Sequence, residues 1–479
     1  MTESEPNCVD VPVPVTSQIA EFVVCADLSD VGSDVLHLAT RAFIDTVGVG
    51  IAGANDASVK ALIQAIEPRW DLQHHKGAVS LTNGMVTTAV HAALINGTAG
   101  HALDFDDHLS EVNGHPSVVT IPALLALGQK SNASGRALLE AYVVGYQVMC
   151  AISAALPVRP HWKAGWHATG TVGVMGSAAA CSRLLGLTIP ETQTALGIAA
   201  SFASGSRQNC GFLVKPLHAG MAASNGLLAA QLAQGGYTAD QRQLESPLGY
   251  FSVFGVNPDL SKVAEVLSQR WALTDFGLNV KQFPACYAVH PAAAAAKAIA
   301  EQGVDPSRIQ SVEVAVQPTG LVGPIHHAPI TGLQGKFSIE YTTAVALVDQ
   351  ELGLSTFEDH AVLRPELQRL LGLVQAVETD VPSIGDPEFE KWFAVVSVHM
   401  KDGTKLEARA DMPHGYGRDP LTDEELNKKF RDCATVPGSA WDAEKLLKAL
   451  WSLPEMDGVQ ALLRTSQEPT DPALFKASK

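Results

Sequence analysis

Four short segments hold most of the side chains that could move a proton or grip an anion. The densest is His101-Ala-Leu-Asp104-Phe-Asp106-Asp107-His108, followed by Gly114-His115-Pro116-Ser117. Asp104, Asp106 and Asp107 are close enough in sequence to repel one another. Repulsion raises at least one carboxyl pKa unless cations neutralise the group, which is a route to a general acid or base near neutrality. The same residues also read as a solvated acidic turn or helix cap. A divalent-metal site built from Asp104, Asp106, His108 and His115 is a third reading: the ligand types suit, but no compact ligand motif is present.

The second segment, Ala164-Gly165-Trp166-His167-Ala168-Thr169-Gly170, places a histidine between glycines at the start of an apolar helix. The third, Lys215-Pro216-Leu217-His218-Ala219-Gly220, sets a lysine in apolar surroundings, where burial without an anion is costly. The fourth runs from Lys281 through Pro284, Cys286 and Tyr287 to His290. Each has a plainer reading, respectively a core histidine, a snorkelling surface lysine and a loop entering a helix. Charge patterning favours function. Between Ala141 and Ala239 Glu191 is the sole acid, where average composition gives about ten, yet Arg159, Lys163, Arg183, Arg207 and Lys215 remain. Burial alone depletes both signs, so the stretch predicts a local positive field for a di- or trianion; pairing of these bases with Asp104, Asp106 and Asp107 is the structural alternative.

The elements that must position these groups are mostly helical. Apolar segments at Val35–Ala52, Arg136–Leu156, Val172–Leu187 and Ala219–Gly235 predict long buried helices, and Thr188, Pro190 and Glu191 form a helix-start signature. Near residue 278 the pattern changes. Val312, Val314 and Val316 alternate with smaller or polar residues as a strand does, and Val396–Met400 approaches Asp402-Gly403 as a hairpin does. Ser338–Asp349 and Arg364–Val374 read as helices. The predicted fold is mainly α: a large helical domain over 1–277, an inserted smaller α+β lid domain over 278–413, and C-terminal helices over 414–479 that rejoin the large domain.

A net charge of −17 in 479 residues repels nucleic acid and anionic membranes, so neither is an expected partner. The acids Glu3, Glu5 and Asp10, without arginine, argue against a leader peptide, and the apolar stretch Ala141–Val158 reads as a buried helix. Cys8, Cys25, Cys150, Cys181, Cys210, Cys286 and Cys433 lack paired spacing and predict small buried residues in a reducing cytoplasm. A hydrophobic share of 46% against 17% charged predicts apolar surface covered by a second copy, a homodimer.

In their order and spacing these segments resemble the MmgE/PrpD family. The matching text is HALDFDDH…GHPS, AGWHATGTVG, KPLHAGMAASNG and KQFPACYAVH, with GKFSIEY at Gly335–Tyr341, and the likeness covers roughly residues 30–430. The resemblance implies a helical domain with a smaller lid, a homodimer, no metal and no organic cofactor. It implies a site between the domains at Asp104, His115, His167, Lys215 and His290, with Lys281 nearby; Asp104, His115, His167 and Lys215 are the expected catalytic groups, and His108, Arg207, Lys281, His290 and Lys336 the expected substrate contacts. The sequence departs from the family in three places. His108 stands where Ser or Thr is common, the His108–His115 loop is slightly longer than in decarboxylase relatives, and a tyrosine expected after the first lid strand has no counterpart around Pro318–Val322.

The implied chemistry is carbanion formation beside a carboxylate. Dehydration of a citrate or 2-methylcitrate type of hydroxy acid is the first expectation. Lys215, Lys281 and Arg207 would hold carboxylates, His115 or Asp104 would take the proton, and His167 would protonate the departing hydroxyl. Decarboxylation of a cis-aconitate type of acid and epimerisation of a dicarboxylate such as iminodisuccinate are the alternatives. A non-catalytic polycarboxylate-binding protein and a metal-dependent hydratase are the outsiders.

Overall fold

The computed structural model describes residues 14–28, 31–70, 77–389 and 392–466. Apolar text in the first half forms α1 (Val15–Cys25), α2 (Ser33–Ala52), α3 (Ala89–Ala102), α4 (Pro116–Ser131), α5 (Gly135–Ala155), α6 (Gly173–Leu185), α7 (Ile189–Phe202) and α8 (Val214–Gln234). Before α3, a short hairpin pairs β1 (Ala78–Val79) with β2 (Val86–Thr87). Helix α7 begins with a capping box: the Thr188 hydroxyl accepts from the Glu191 backbone N–H, and the Glu191 carboxylate accepts from that of Thr188. The segments Ser33–Asn55 and Gly135–Ala155 are long and apolar enough to cross a bilayer, but 83% of each apolar window is buried inside the protein.

The pairing of α3 with α8 matters most for the site. A Cβ on Gly220 would lie 2.4 Å from the Leu94 carbonyl oxygen, and one on Gly97 2.9 Å from the Gly220 Cα. Only glycine lets these backbones approach so closely. The crossing sets the last turn of α3, which carries His101, beside the first turn of α8, which carries Lys215.

A second apolar cluster begins past Val280 and runs from Phe283 to Met400, while the main cluster spans Val15–Val280 and resumes at Leu421–Leu463. The second core lies between α9 (His290–Ala300) and α10 (Ile339–Asp349) and a sheet of β3 (Ile309–Val316), β4 (Val374–Glu378), β5 (Ala394–Met400) and β6 (Lys405–Ala410), in the order β4-β3-β5-β6. Strands β5 and β6 form the hairpin expected at Asp402-Gly403, with Gly403 at a φ of 88°. The helix expected over Arg364–Val374 is shorter: α11 (Pro365–Leu371) ends before Val374, which opens β4, parallel to β3 with Val312 opposite Val374. Gly372 stops the helix, and the half-buried Val374 and Val377 gain more by edge pairing. The chain then returns to the first core through α12 (Asp423–Ala434), packed on α2, and α13 (Ala443–Trp451).

The six described cysteines are free thiols. Cys150, Cys181 and Cys433 are buried, whereas Cys210 and Cys286 are half-buried and Cys25 is exposed at the end of α1, contrary to the expectation of uniform burial. Cys8 and the N-terminal acids lie outside the described residues.

Candidate active site

A cavity of about 250 Å³ opens between the two cores, with His101, Asp104 and Lys215 from the helical side and Lys336, Phe337 and Asp359 from the second core among its lining residues. Asp104 follows the end of α3 with φ at 54°, a left-handed conformation that non-glycine residues adopt rarely and Asp and Asn more readily than most. That turn aims its carboxylate at two lysines. Lys215 Nζ donates to Oδ1 at 2.6 Å; Lys281 Nζ lies 3.1 Å from the same oxygen and donates to the Asp104 carbonyl at 2.7 Å. Burial pushes the Asp104 carboxyl up, but the Lys215 and Lys281 ammoniums more than offset it and hold it well below the usual range. Burial likewise opposes the charge on Lys215, and Asp104 reverses that effect. Among the described residues Lys336 has no such close partner, and burial pulls its ammonium down to about 8.

Behind this ion cluster lies a stack of imidazoles. His101 Nδ1 is 2.8 Å from Asp106 Oδ2; its ring centroid is 4.5 Å from that of His115 and 5.9 Å from that of His167. His115 Nδ1 also comes within 3.1 Å of Asp106 Oδ2, but off the direction a hydrogen bond needs. His167 precedes a short helix, Ala168–Thr171, and its Nδ1 lies 3.0 Å from Nδ1 of His218. Gly205, at φ 127°, allows its loop to close over this pair. Burial pulls His101 down to about 4, and it drives His167 well below the usual imidazole range, helped by the nearby cations. Asp106, receiving His101, stays ionised.

The repulsion expected among the three carboxylates falls on Asp107. It is buried beyond the lysines, accepts from the Ser117 hydroxyl at 2.7 Å and is pushed up to about 8 by desolvation, with Asp45 and Asp106 adding to the shift. Asp45 pairs with Lys429 of α12 at 2.7 Å, and Lys429 also donates to the Phe105 carbonyl at 2.8 Å, so the C-terminal helix braces the 104–107 turn.

Other expected site residues are placed differently. His108 lies beside His115 and stacks on Tyr287, which in turn stacks on His290. Burial pulls His290 down to about 3, and its Nε2 faces the Ala285 carbonyl at 3.3 Å. Arg207 is not brought to the cavity: its guanidinium lies 3.3 Å over the Trp162 ring and donates to the Trp162 carbonyl. Nor do the other bases of the acid-poor stretch supply a positive field there. Arg183 caps α1 through the Val23, Val24 and Ala26 carbonyls, and Arg159 and Lys163 are exposed. Lys215 alone among the five reaches the site; Lys281 and Lys336, from outside the stretch, complete the charge.

Residue-by-residue reading gave no role to His101, Tyr287, His218, Asp56 or Asp359. For His101 a signal existed, since it opens the same short segment that carries Asp104 and Asp106. Asp56 and Asp359 come from distant segments and carried none. Among the described residues, ligand atoms of His101, Asp106 and His115 lie within 4.8 Å of one another. The His101–Asp106 hydrogen bond and the packed rings account for that grouping, and a cation there would have to replace the bond. Asp104, which the metal reading included, is already engaged by two lysines.

Comparison with known proteins gives the family. The MmgE/PrpD N-terminal domain matches residues 17–262 and the MmgE/PrpD C-terminal domain residues 283–453. The chain belongs to the MmgE/PrpD family. Cis-aconitate decarboxylases of Mus musculus and Homo sapiens are each 28% identical to it, the first over 95% of this chain and 94% of the relative, the second over 97% of both. A probable 2-methylcitrate dehydratase of Saccharomyces cerevisiae is 24% identical over 87% of this chain and 83% of its own length.

Proposed function

We propose that this MmgE/PrpD protein is a lyase that decarboxylates a small unsaturated tricarboxylic acid of the cis-aconitate type. The observation that carries the reading is one cavity holding two buried ammoniums, Lys215 and Lys336, beside an imidazole. A polyanion supplies the close negative partner that Lys336 lacks among the described residues. The sequence put dehydration first; the order is reversed because decarboxylases match at 28% over nearly the whole chain and the dehydratase at 24% over less.

In such a reaction the bond to one carboxylate breaks and its electron pair becomes a new double bond. The displaced π pair gathers on the carbon beside a second carboxylate, and one proton ends the step. Lys215 and Lys336 would hold carboxylates and stabilise the developing enolate, with Lys281 acting through Asp104. Asp104, kept ionised by two lysines, orients them and is a poor base. His115 and His167 stand nearest to His101 as proton-transfer groups.

The smaller core acts as a lid in this reading: the segments near 278–283 and 411–421 carry the chain between the cores, and closure would exclude water. A second copy of the chain would cover the exposed Phe212 and Leu213 at the cavity mouth and the neighbouring Ile325, giving a homodimer. The free thiols suit a reducing cytoplasm.

The test is an NMR assay with cis-aconitate, citrate, methylcitrate and iminodisuccinate. Release of CO₂ from cis-aconitate supports the reading. Loss of water from a hydroxy acid instead restores dehydration, deuterium exchange without either indicates epimerisation, and binding without turnover indicates a sensor. A rate abolished by chelator would contradict the metal-free mechanism.

A further inference from the structure

We infer that His101, oriented by the Asp106 carboxylate, is the group that delivers the proton to carbon in the decarboxylation proposed above, on which this inference rests. Of the imidazoles clustered here, His101 is the one that lines the cavity. Its Nδ1 is held by Asp106 at 2.8 Å, which leaves Nε2 as the exchanging atom, and Nε2 is buried with no hydrogen-bond partner among the described residues. His108, His115 and His290 also bury a ring nitrogen without a hydrogen-bond partner, but of these four histidines His101 alone combines that feature with a place in the cavity lining. Here one nitrogen is fixed by a carboxylate and the other is left open beside Lys215, the arrangement that orients a proton-transfer imidazole.

The balance of the reaction requires such a group. A trianion that loses CO₂ and becomes a dianion takes up one proton per turnover. Burial and the neighbouring Lys215 keep the His101 ring neutral in the free protein, where burial pulls it down to about 4. A bound polyanion favours the imidazolium, with Nδ1–H on Asp106 and Nε2–H toward the substrate. When the carbon–carboxylate bond breaks, the Nε2–H bond breaks too. Its hydrogen forms the new C–H bond at the carbon that received the displaced pair, CO₂ leaves, and the ring returns to the neutral state. Water supplies the next proton.

The test uses His101→Asn, whose amide can keep the donor to Asp106 while removing Nε2. Turnover of cis-aconitate is followed in D₂O, and the stereochemistry of the deuterium in the product is read by NMR. The wild type should deliver deuterium to one face. The variant should lose about 10²–10⁴-fold in kcat, the range for a proton-transfer group, with KM within about threefold, and its residual product should carry label on both faces. A kcat within threefold of wild type, or a slow variant that still labels one face, overturns the inference, because a packing role slows the step without changing the donor. Should His101→Asn give no cooperative melt, His101→Gln is used with the same expectations. A wild type that releases no CO₂ from cis-aconitate removes the proposed function, and the inference with it. An active wild type beside an unaffected variant removes the inference alone.

Discussion

Asp104 and Lys215 form one ion pair, yet removing either member should have unequal consequences, and the inequality follows from the third partner. In Lys215→Met, Asp104 keeps Lys281 at 3.1 Å and loses one charged hydrogen bond, worth about 1.5–3 kcal/mol. In Asp104→Asn, two buried ammoniums lose their shared carboxylate, and breaking a buried pair in this way costs about 3–5 kcal/mol. Asparagine tolerates the left-handed backbone at φ 54°, so the loss reports charge and not strain. Urea unfolding followed by far-UV circular dichroism should rank wild type above Lys215→Met, and Lys215→Met above Asp104→Asn by about 1–2 kcal/mol, the gap between those two ranges. The double variant should fall short of the sum, because its members share partners. CO₂ release should fall in both single variants, by about 10²–10³ in Lys215→Met, where an enolate-stabilising group is gone. A Lys215→Met protein as unstable as Asp104→Asn, or strictly additive losses, would refute the shared-carboxylate account.

Three further outcomes follow from other parts of the site. With Lys336 drawn down to about 8, its ammonium is lost as pH rises through that value, so kcat/KM should decline above about pH 8; Lys336→Arg, which stays charged, should remove that limb from the pH profile. Asp107 binds its proton more tightly folded than unfolded, so its contribution to stability is complete below about pH 4 and is lost as pH climbs toward 8. Asp107→Asn should therefore gain on wild type over that window in urea titrations at successive pH values. Gly220→Ala forces a Cβ to 2.4 Å from the Leu94 carbonyl oxygen; it should lower the thermal midpoint and reduce turnover together, since α8 carries Lys215, whereas Gly186→Ala, strained at φ 64° but with open space around it and remote from the cavity, should lower the midpoint and keep turnover.

Much of the architecture was legible because burial writes itself into sequence. Long apolar runs became α2, α5, α6 and α8, the Thr188 and Glu191 spacing became a capping box, and Asp402-Gly403 turned β5 into β6. Strand β4 was hidden because an edge strand with one half-buried face shows little alternation. At the site, residue type and order singled out Asp104, His115, His167, Lys215 and Lys281, and the fold brings them to one place. Composition could not reveal what a guanidinium does once folded: Arg183 caps a helix and Arg207 covers Trp162. The repulsion argument was sound in kind but silent on which carboxylate stays protonated, since that depends on how far each lies from the lysines. His101 stood in the densest segment yet carried no role, because its importance rests on an unpartnered nitrogen in the cavity lining, which exists only in three dimensions.

The central claim is that the Lys215–Lys336 cavity holds an unsaturated tricarboxylate and expels CO₂ from it. The most direct measurement is ¹³C NMR of purified protein with cis-aconitate labelled at its carboxyl carbons. Appearance of labelled CO₂ and bicarbonate alongside a dicarboxylate, slowed by about 10²–10³ in Lys215→Met, is the predicted result. Label retained in a six-carbon acid, whether hydrated or unchanged, would contradict it.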